Sequence, residues 1–493
     1  MTSTSDNSHG TLLRPAIRLA LLLAVLPSAT LLAQAPSMPS SEKVPVVSVK
    51  DTSPAVAAPQ DGSCKIDDGS SFSRRVPLQT YWDNGLRFES ENQKFNLHIG
   101  GTGNIDSVYP YGPADLYLGP NGASNGVENA EATFLRRAIL QAEGRIYDRF
   151  DFSIQFDFAN ASNDNNGEQP PSFGNLTSSP APQNIWLQMR DVPYLGYVRI
   201  GQQKKPIGME NNTGAMALPF MERSDNMDAF YGPFDGGFAL GVTAHDWNAS
   251  ETVTWKYGVF QPSTDVYGVA YTNYTLGARV TALPWYEEDG AKLAHVGLGY
   301  WGGEIVQNQL RDRVRPLLRN GPGFAVPVLA DTGEIPGGNQ YTVGPEFALQ
   351  WGPFMLQAEY AAQWLTDAVN SSGQFVGNVF FQGGYIEALY FLTGEHQSYD
   401  RKEGVFGRVV PTHDYLGSEH GYGAWQIGLR YSFVDLDDKT IQGGQLHSWT
   451  AGINWYLNPN MRLQFNYLAE FRDMPGVPIG WLYGVGLRAG FEF

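Results

Sequence analysis

The chain ends on Trp481 to Phe493, a stretch whose two faces share almost no chemistry. One face carries Trp481, Tyr483, Val485, Leu487, Ala489, Phe491 and Phe493; the other carries Leu482, Gly484, Gly486, Arg488, Gly490 and Glu492. A period of two places these sets on opposite sides of a β-strand. The apolar face is graded, with aromatics at its ends and aliphatics between. A bilayer favours that order, because aromatic rings prefer the interfaces and aliphatics the hydrocarbon. A sandwich strand also alternates, so one strand decides nothing; repetition does. Arg137 to Phe158 reads as a hairpin in which Ala138, Leu140, Ala142, Gly144 and Ile146 oppose Arg137, Gln141, Glu143 and Arg145. After the turn Tyr147-Asp148-Arg149, the residues Phe150, Phe152, Ile154, Phe156 and Phe158 interleave with Asp151, Ser153, Gln155 and Asp157. Charges recurring on the inner face suit water better than a dry core.

Sixteen such segments follow, near 94–109, 131–147, 150–160, 183–192, 195–204, 236–247, 251–261, 273–283, 292–304, 341–351, 353–365, 378–394, 421–434, 445–457, 460–472 and 480–493. An even number is what a bacterial barrel requires. The predicted fold is all-β: a sixteen-stranded antiparallel transmembrane β-barrel. Composition agrees. Charged residues are 17%, below the roughly 25% of soluble chains, yet mean hydropathy is -0.28 and no apolar run of helix-spanning length follows the N-terminus. Half-polar strands reconcile the two. The net charge of -17 argues against nucleic acid. The single cysteine, Cys64, excludes a disulfide framework.

Residues 1–35 read as a signal peptide, in which Arg14 and Arg18 supply positive charge, Ile17 to Leu32 is the apolar region and Ala33-Gln34-Ala35 the small-residue site. Residues 36–85 are rich in Pro, Ser and Ala and read as a linker, leaving 86–493 for the barrel. Short links (147–150, 192–195, 247–250, 351–353, 457–460) alternate with longer ones (110–130, 161–182, 205–235, 305–340, 366–377), as periplasmic turns alternate with outer loops. The link 395–420 breaks this rule: it is long on the short-turn side.

By alternation the inward basic residues are Arg137, Arg145, Arg190, Arg199, Lys256, Arg279, Arg430, Arg462, Arg472 and Arg488, and the inward acids Glu143, Asp151, Asp157, Glu346, Glu359, Glu387, Glu470 and Glu492. A lumen balanced or slightly basic within so acidic a chain tilts towards anions, although Arg–Glu pairs also serve simply to fill a barrel wall. In the third long loop, Lys204, Lys205 and Arg223 are the candidate constriction residues. The alternative for them is solvation on an exposed loop.

The run Gly201-Gln202-Gln203-Lys204-Lys205-Pro206-Ile207-Gly208-Met209-Glu210, with Phe220-Met221-Glu222-Arg223-Ser224, resembles the constriction loop of phosphate-selective porins of the O and P type. So do Tyr390 to Glu395, Tyr399 to Lys402 and Gly404 to Pro411. The resemblance implies a homotrimer in the outer membrane, surrounded by its lipid, with the third loop folded into the pore and small anions, phosphate foremost, as solutes. It also implies that terminal Phe493 is read by the barrel-assembly machinery, and that 395–420 is a family feature. A general or sugar-transporting porin is the alternative, with inward Trp186 and Tyr385 as stacking surfaces. No cofactor or metal is expected: the acids Asp435, Asp437 and Asp438 lack a calcium-loop pattern. An enzyme is disfavoured because His98, His245 and His295 lie on different strands, outside any nucleophile motif.

Overall fold

A computed structural model of the chain describes residues 76–118, 131–159, 181–232, 236–262, 273–305, 308–319, 326–416 and 421–493. The signal segment, Cys64 and most of the linker lie outside the described residues. Sixteen strands form the barrel: β1 (Phe95–Tyr111), β2 (Ala132–Ile146), β3 (Phe150–Asp157), β4 (Ala181–Val192), β5 (Gly196–Lys204), β6 (Phe238–Trp247), β7 (Val253–Phe260), β8 (Thr275–Glu287), β9 (Lys292–Glu304), β10 (Asn339–Trp351), β11 (Phe354–Val369), β12 (Phe375–Phe391), β13 (Ala424–Asp438), β14 (Ile441–Asn458), β15 (Met461–Asp473) and β16 (Gly480–Glu492). Each pairs antiparallel with the next. The seam closes where β16 pairs with β1, from Tyr483 opposite Tyr111 to Glu492 opposite Thr102. Closure removes the free edges that a membrane cannot satisfy.

The wall is inverted relative to a soluble core. On β15, Leu463 and Phe465 are 42% and 38% exposed, whereas the alternating Arg462, Gln464 and Asn466 are 2%, 2% and 1% exposed. Apolar side chains outside and polar ones packed inside are what a barrel in lipid needs. Cysteines at half-buried inward positions Gln141, Arg145 and Gln155 should therefore react with a water-soluble maleimide, after Cys64 is replaced, while cysteines at Leu140, Phe156 and Leu487 stay protected by lipid. The opposite pattern would mean a register slipped by one residue, which reverses every side chain.

Folded structure starts before residue 86. Leu78–Trp82 pairs with Leu86–Ser90, and the second strand of this hairpin pairs with β1 from Leu86 opposite Ile99 to Glu89 opposite Asn96. It extends the edge of β1 below the point where β16 ends: Phe493 exchanges backbone hydrogen bonds with Gly101, and its ring stacks on Trp82 at 6.5 Å. The turn needs Gly85, whose φ is +115° and whose hydrogen faces the His98 ring and the Ile99 carbonyl at distances no Cβ could occupy. All five residues Leu78–Trp82 are exposed, so no one-sided pattern marked this strand in the sequence.

Two further stretches depart from the expected loop lengths. The link placed at 366–377 spans only 370–374, and Asp435, Asp437 and Asp438 belong to β13, which turns into β14 at Lys439-Thr440. In both places a register shift interrupts the pairing, between Leu365 and Ala368 and between Asp435 and Asp437. Such bulges let a strand continue after its alternation has failed.

Candidate functional site: the third loop and the arginines around it

The connection between β5 and β6 does not leave the barrel. It carries a short helix α1 (Met209–Asn212), a 3-10 turn (Ala215–Ala217) and a π-type turn (Met227–Tyr231), almost all of it buried. Its neck is tied by side chains. Lys204 Nζ donates to the Gly236 carbonyl at 2.8 Å and lies over Phe238, and Lys205 Nζ donates to the Tyr231 carbonyl at 3.0 Å beside Trp301. Asn211 and Asn212 donate to the Lys205 and Ile207 carbonyls. Gly208, at φ +74°, lets the chain pass the Tyr231 ring and the Glu359 carboxylate, which accepts from the Met209 and Glu210 amides at 2.9 and 2.6 Å.

The loop is anchored to β11–β16. Arg462 donates to the Ala215, Met216 and Leu218 carbonyls, and Asn454 and Gln464 both donate to that of Pro219. Asn466 accepts from the Met221 amide, and Ser432 from that of Asp225. Phe220 enters between Gly428 and Gly452, with Arg430 stacked over it at 4.7 Å. The other side of the loop is open: a Cβ at Gly214 would meet nothing. On β2–β5, inward Gln141, Gln155, Asn184, Trp186 and Arg199 are only partly buried.

Charge concentrates where loop meets wall. Glu222 accepts two hydrogen bonds from Arg136 at 2.7 and 2.8 Å and one from Arg488 at 3.1 Å, with Arg319 at 3.6 Å. Arg488 also grips Asp106 bidentately at 2.7 and 2.6 Å. Asp228 is held by Arg315 and Arg319 at 2.6 and 2.7 Å, both from the link between β9 and β10. Arg430 reaches Glu210 at 3.3 Å. Burial alone would raise the carboxyl pKa of Glu222, but Arg136 and Arg319 outweigh it and hold the group well below the usual carboxylate range. Asp228 is depressed in the same way by Arg315 and Arg319.

Two guanidiniums here have no carboxylate partner among the described residues. Arg137 is bonded by the Asn104 amide oxygen at 3.1 Å, once that amide is oriented to donate to the Gly103 carbonyl. Arg223 spends Nε and Nη2 on the Glu210 and Thr213 carbonyls of its own loop, at 2.9 and 2.8 Å. In this cluster the guanidiniums of Arg136, Arg137, Arg223, Arg315, Arg319, Arg430 and Arg488 interact with the carboxylates of Asp106, Asp157, Glu210, Glu222, Asp225, Asp228 and Glu387.

The remaining inward arginines lie elsewhere on the wall. Arg145 pairs with Asp151 at 3.0 Å, Arg199 stacks over Trp186 at 4.0 Å, and Arg279 grips Glu346 at 2.8 and 3.0 Å. Alternation could not find Arg136: the shift between Asn104 and Ile105 makes it the extra residue of a bulge, which turns it inward. The available signal was the cost of an arginine on a lipid face. Arg315 and Arg319 sit in a link rich in arginine, a pattern visible in the sequence but not tied there to the lumen.

Within the long link between β12 and β13, the segment from Gln397 to Gly407 also turns inward. Within it Tyr399–Asp400 pairs with Val405–Phe406, the Tyr399 hydroxyl bonds His295 Nδ1 at 2.6 Å, and Gln397 donates to the Ala217 carbonyl of the third loop at 2.6 Å. Arg279 donates to the Glu403 and Gly404 carbonyls at 2.9 and 2.7 Å. This explains its exception to the parity of loop lengths: it fills the barrel from the short-turn end.

Sequence comparison agrees with this architecture. Porin O of Pseudomonas aeruginosa is 23% identical over 439 residues, covering 79% of this chain and 86% of that protein. An uncharacterized protein of Caulobacter vibrioides is 27% identical over 300 residues, 58% of this chain and 55% of its own. Among solved structures, the outer membrane channel DcaP of Acinetobacter baumannii aligns over 82% of this chain and 99% of its own at 13% identity, with a TM-score of 0.48. The fold rests on the strand pairing rather than on that alignment. Residues 115–474 match the family described as phosphate-selective porin O and P, and the chain belongs to that family.

Proposed function

We propose that this outer-membrane porin passes small inorganic oxyanions, phosphate foremost, by passive diffusion through a lumen narrowed by the third loop, and that it works as a homotrimer. The observation that carries the reading is Arg223. It is partly exposed on the loop, has no carboxylate partner, and makes no hydrogen bond through Nη1 among the described residues. Its backbone bonds fix the guanidinium while leaving donors for a passing anion. The guanidiniums of Arg136, Arg137, Arg319 and Arg488 around Glu222 supply a field of the same sign, strengthened by low-dielectric walls. Arg137, Arg145, Arg199, Arg279, Arg430, Arg462 and Arg488 contribute to this field or support the wall. Lys204 and Lys205 act through it as well, while tying the neck of the loop.

The sugar-porin reading is the weaker one. Tyr385 is 4% exposed and donates to Glu359, and Trp186 is covered by Arg199, so neither presents a free ring face for a stacking track. Planar-bilayer recording tests the choice. The pore should prefer anions in a salt gradient, and millimolar phosphate should partly block chloride current. Cation preference without phosphate block would defeat the proposal.

A further inference from the structure

Near the short-turn end a row of bases crosses four strands. Lys256 on β7 stands directly opposite Arg279 on β8 and His245 on β6, and Arg199 on β5 lies one diagonal step further, opposite Thr243. Directly opposed side chains on neighbouring strands have Cβ atoms about 4.5–5.5 Å apart, and like charges placed so repel. Arg279 is neutralised by its bidentate bond to Glu346. Arg199 bonds only the neutral Gln188 amide oxygen, at 2.9 Å, and the Lys256 ammonium makes no hydrogen bond or ion pair with the described residues. Both are partly exposed to the lumen. Arg199 and Lys256 thus flank β6 from either side, and neither is bonded to a carboxylate among the described residues, an arrangement that suits an anion.

The chain brings one from below. Glu403 lies at the tip of the inward hairpin Tyr399–Phe406, and Arg279 holds its carbonyl and that of Gly404. Asp400 Oδ1 accepts from the Lys402 and Glu403 amides and shapes the tip. The Glu403 carboxylate bonds nothing among the described residues and is exposed to solvent, although the barrel surrounds it. Enclosure pushes its pKa up, yet Arg199, Lys256, His245 and Arg279 outweigh this and hold it below the ordinary carboxylate value. It faces the bases without bonding to them.

We propose that Arg199 and Lys256 form an oxyanion-binding step near the periplasmic end of the lumen, and that Glu403 is a tethered carboxylate that competes there with the permeant anion and so sets the pore's affinity for it. The inference rests on the anion reading of the lumen and adds a determinant of specificity outside the third loop. Its physical logic is release. Conduction needs a site strong enough to attract an ion and weak enough to let it go. A carboxylate held close by has a high effective concentration, so it displaces a departing phosphate without sealing the path. Because its backbone carbonyl is held by Arg279, the competitor stays beside the site.

The test is bilayer recording of wild type, Glu403→Gln, Glu403→Asp and the double variant Glu403→Gln/Lys256→Gln, each first shown to migrate as a folded, heat-modifiable barrel. Removing the tethered charge should lower the phosphate concentration that half-blocks chloride current by about three- to tenfold, and shift the reversal potential further towards anions. Glu403→Asp should stay near wild type, and the double variant should lose the gain. A Glu403→Gln pore that phosphate blocks no better than wild type overturns the tether while leaving the anion porin intact. A reversal potential that moves with Glu403→Gln, in pores that phosphate never blocks, upholds the tethered charge and overturns the phosphate reading.

Discussion

Glu222→Gln should loosen the third loop more than any other single change of one side chain in the lumen. The carboxylate is 5% exposed and takes hydrogen bonds from Arg136 and Arg488, with Arg319 near. Glutamine keeps the shape but offers one neutral acceptor and two hydrogens that face guanidinium donors. Three arginines would then lose the charge they share. Removing one member of a buried ionic network typically costs about 3–5 kcal/mol, because the partners remain buried and uncompensated. The barrel itself, closed by backbone pairing, should persist. The expected result is a lower temperature for conversion of the folded band on unboiled gels, together with noisier open-channel current. Glu222→Asp, which retains the charge, should recover most of both. Unchanged current noise and thermal conversion in Glu222→Gln would show that the guanidinium field does not hold the loop.

The same network fixes the sign of its pH response. Glu222 and Asp228 have folded pKa values below those of the unfolded chain. Their stabilisation is therefore present above the unfolded carboxylate value, about 4, and is lost only as pH falls through the lower folded values. Anchorage of the loop should survive mild acid and fail well below pH 4.

The barrel was legible in the sequence because its strands carry a two-faced pattern that neither bulge nor turn disguises over most of their length. It was lost where geometry departs from strict alternation. The shift beside Asn104 hid Arg136, those at Leu365 and Asp435 shortened two expected links, and the evenly exposed strand Leu78–Trp82 offered no face to read. The site was legible in part. Alternation pointed Arg462 and Arg488 inward, where they are 2% exposed. It could not say that Arg462 would bind the loop's carbonyls, or that Arg488 would bind Asp106 and Glu222. Partners from Glu222, Asp228, Arg315, Arg319 and Glu403 lie in connections, whose course is set by these same contacts and has no period to betray it.

Arg223→Glu should reverse the pore's preference without unfolding its loop, whereas Lys205→Glu should damage the loop first. Arg223 donates two hydrogen bonds to backbone carbonyls and is partly exposed. Its replacement loses those bonds, worth about 1.5–3 kcal/mol each for a charged donor before solvent compensates, and the exposed side lets glutamate turn into water. In the narrow part of the lumen the change is from one positive to one negative charge. At an effective dielectric constant of about 20, one unit charge some 4 Å from a permeating ion counts for about 4 kcal/mol. A shift of even half that size moves anion affinity by more than tenfold. The reversal potential in a salt gradient should cross towards cations, and phosphate block of chloride current should disappear. Lys205 differs because it is 8% exposed, and its ammonium bonds the Tyr231 carbonyl beside Trp301. A carboxylate there would face a carbonyl oxygen in a buried neck, so folded yield should fall before selectivity can be read. Recording Arg223→Glu beside a yield measurement on Lys205→Glu separates a charge that meets the solute from one that ties the loop. If Arg223→Glu keeps wild-type selectivity while remaining folded, the constriction lies elsewhere in the lumen, and the row of Arg199 and Lys256 becomes the place to look.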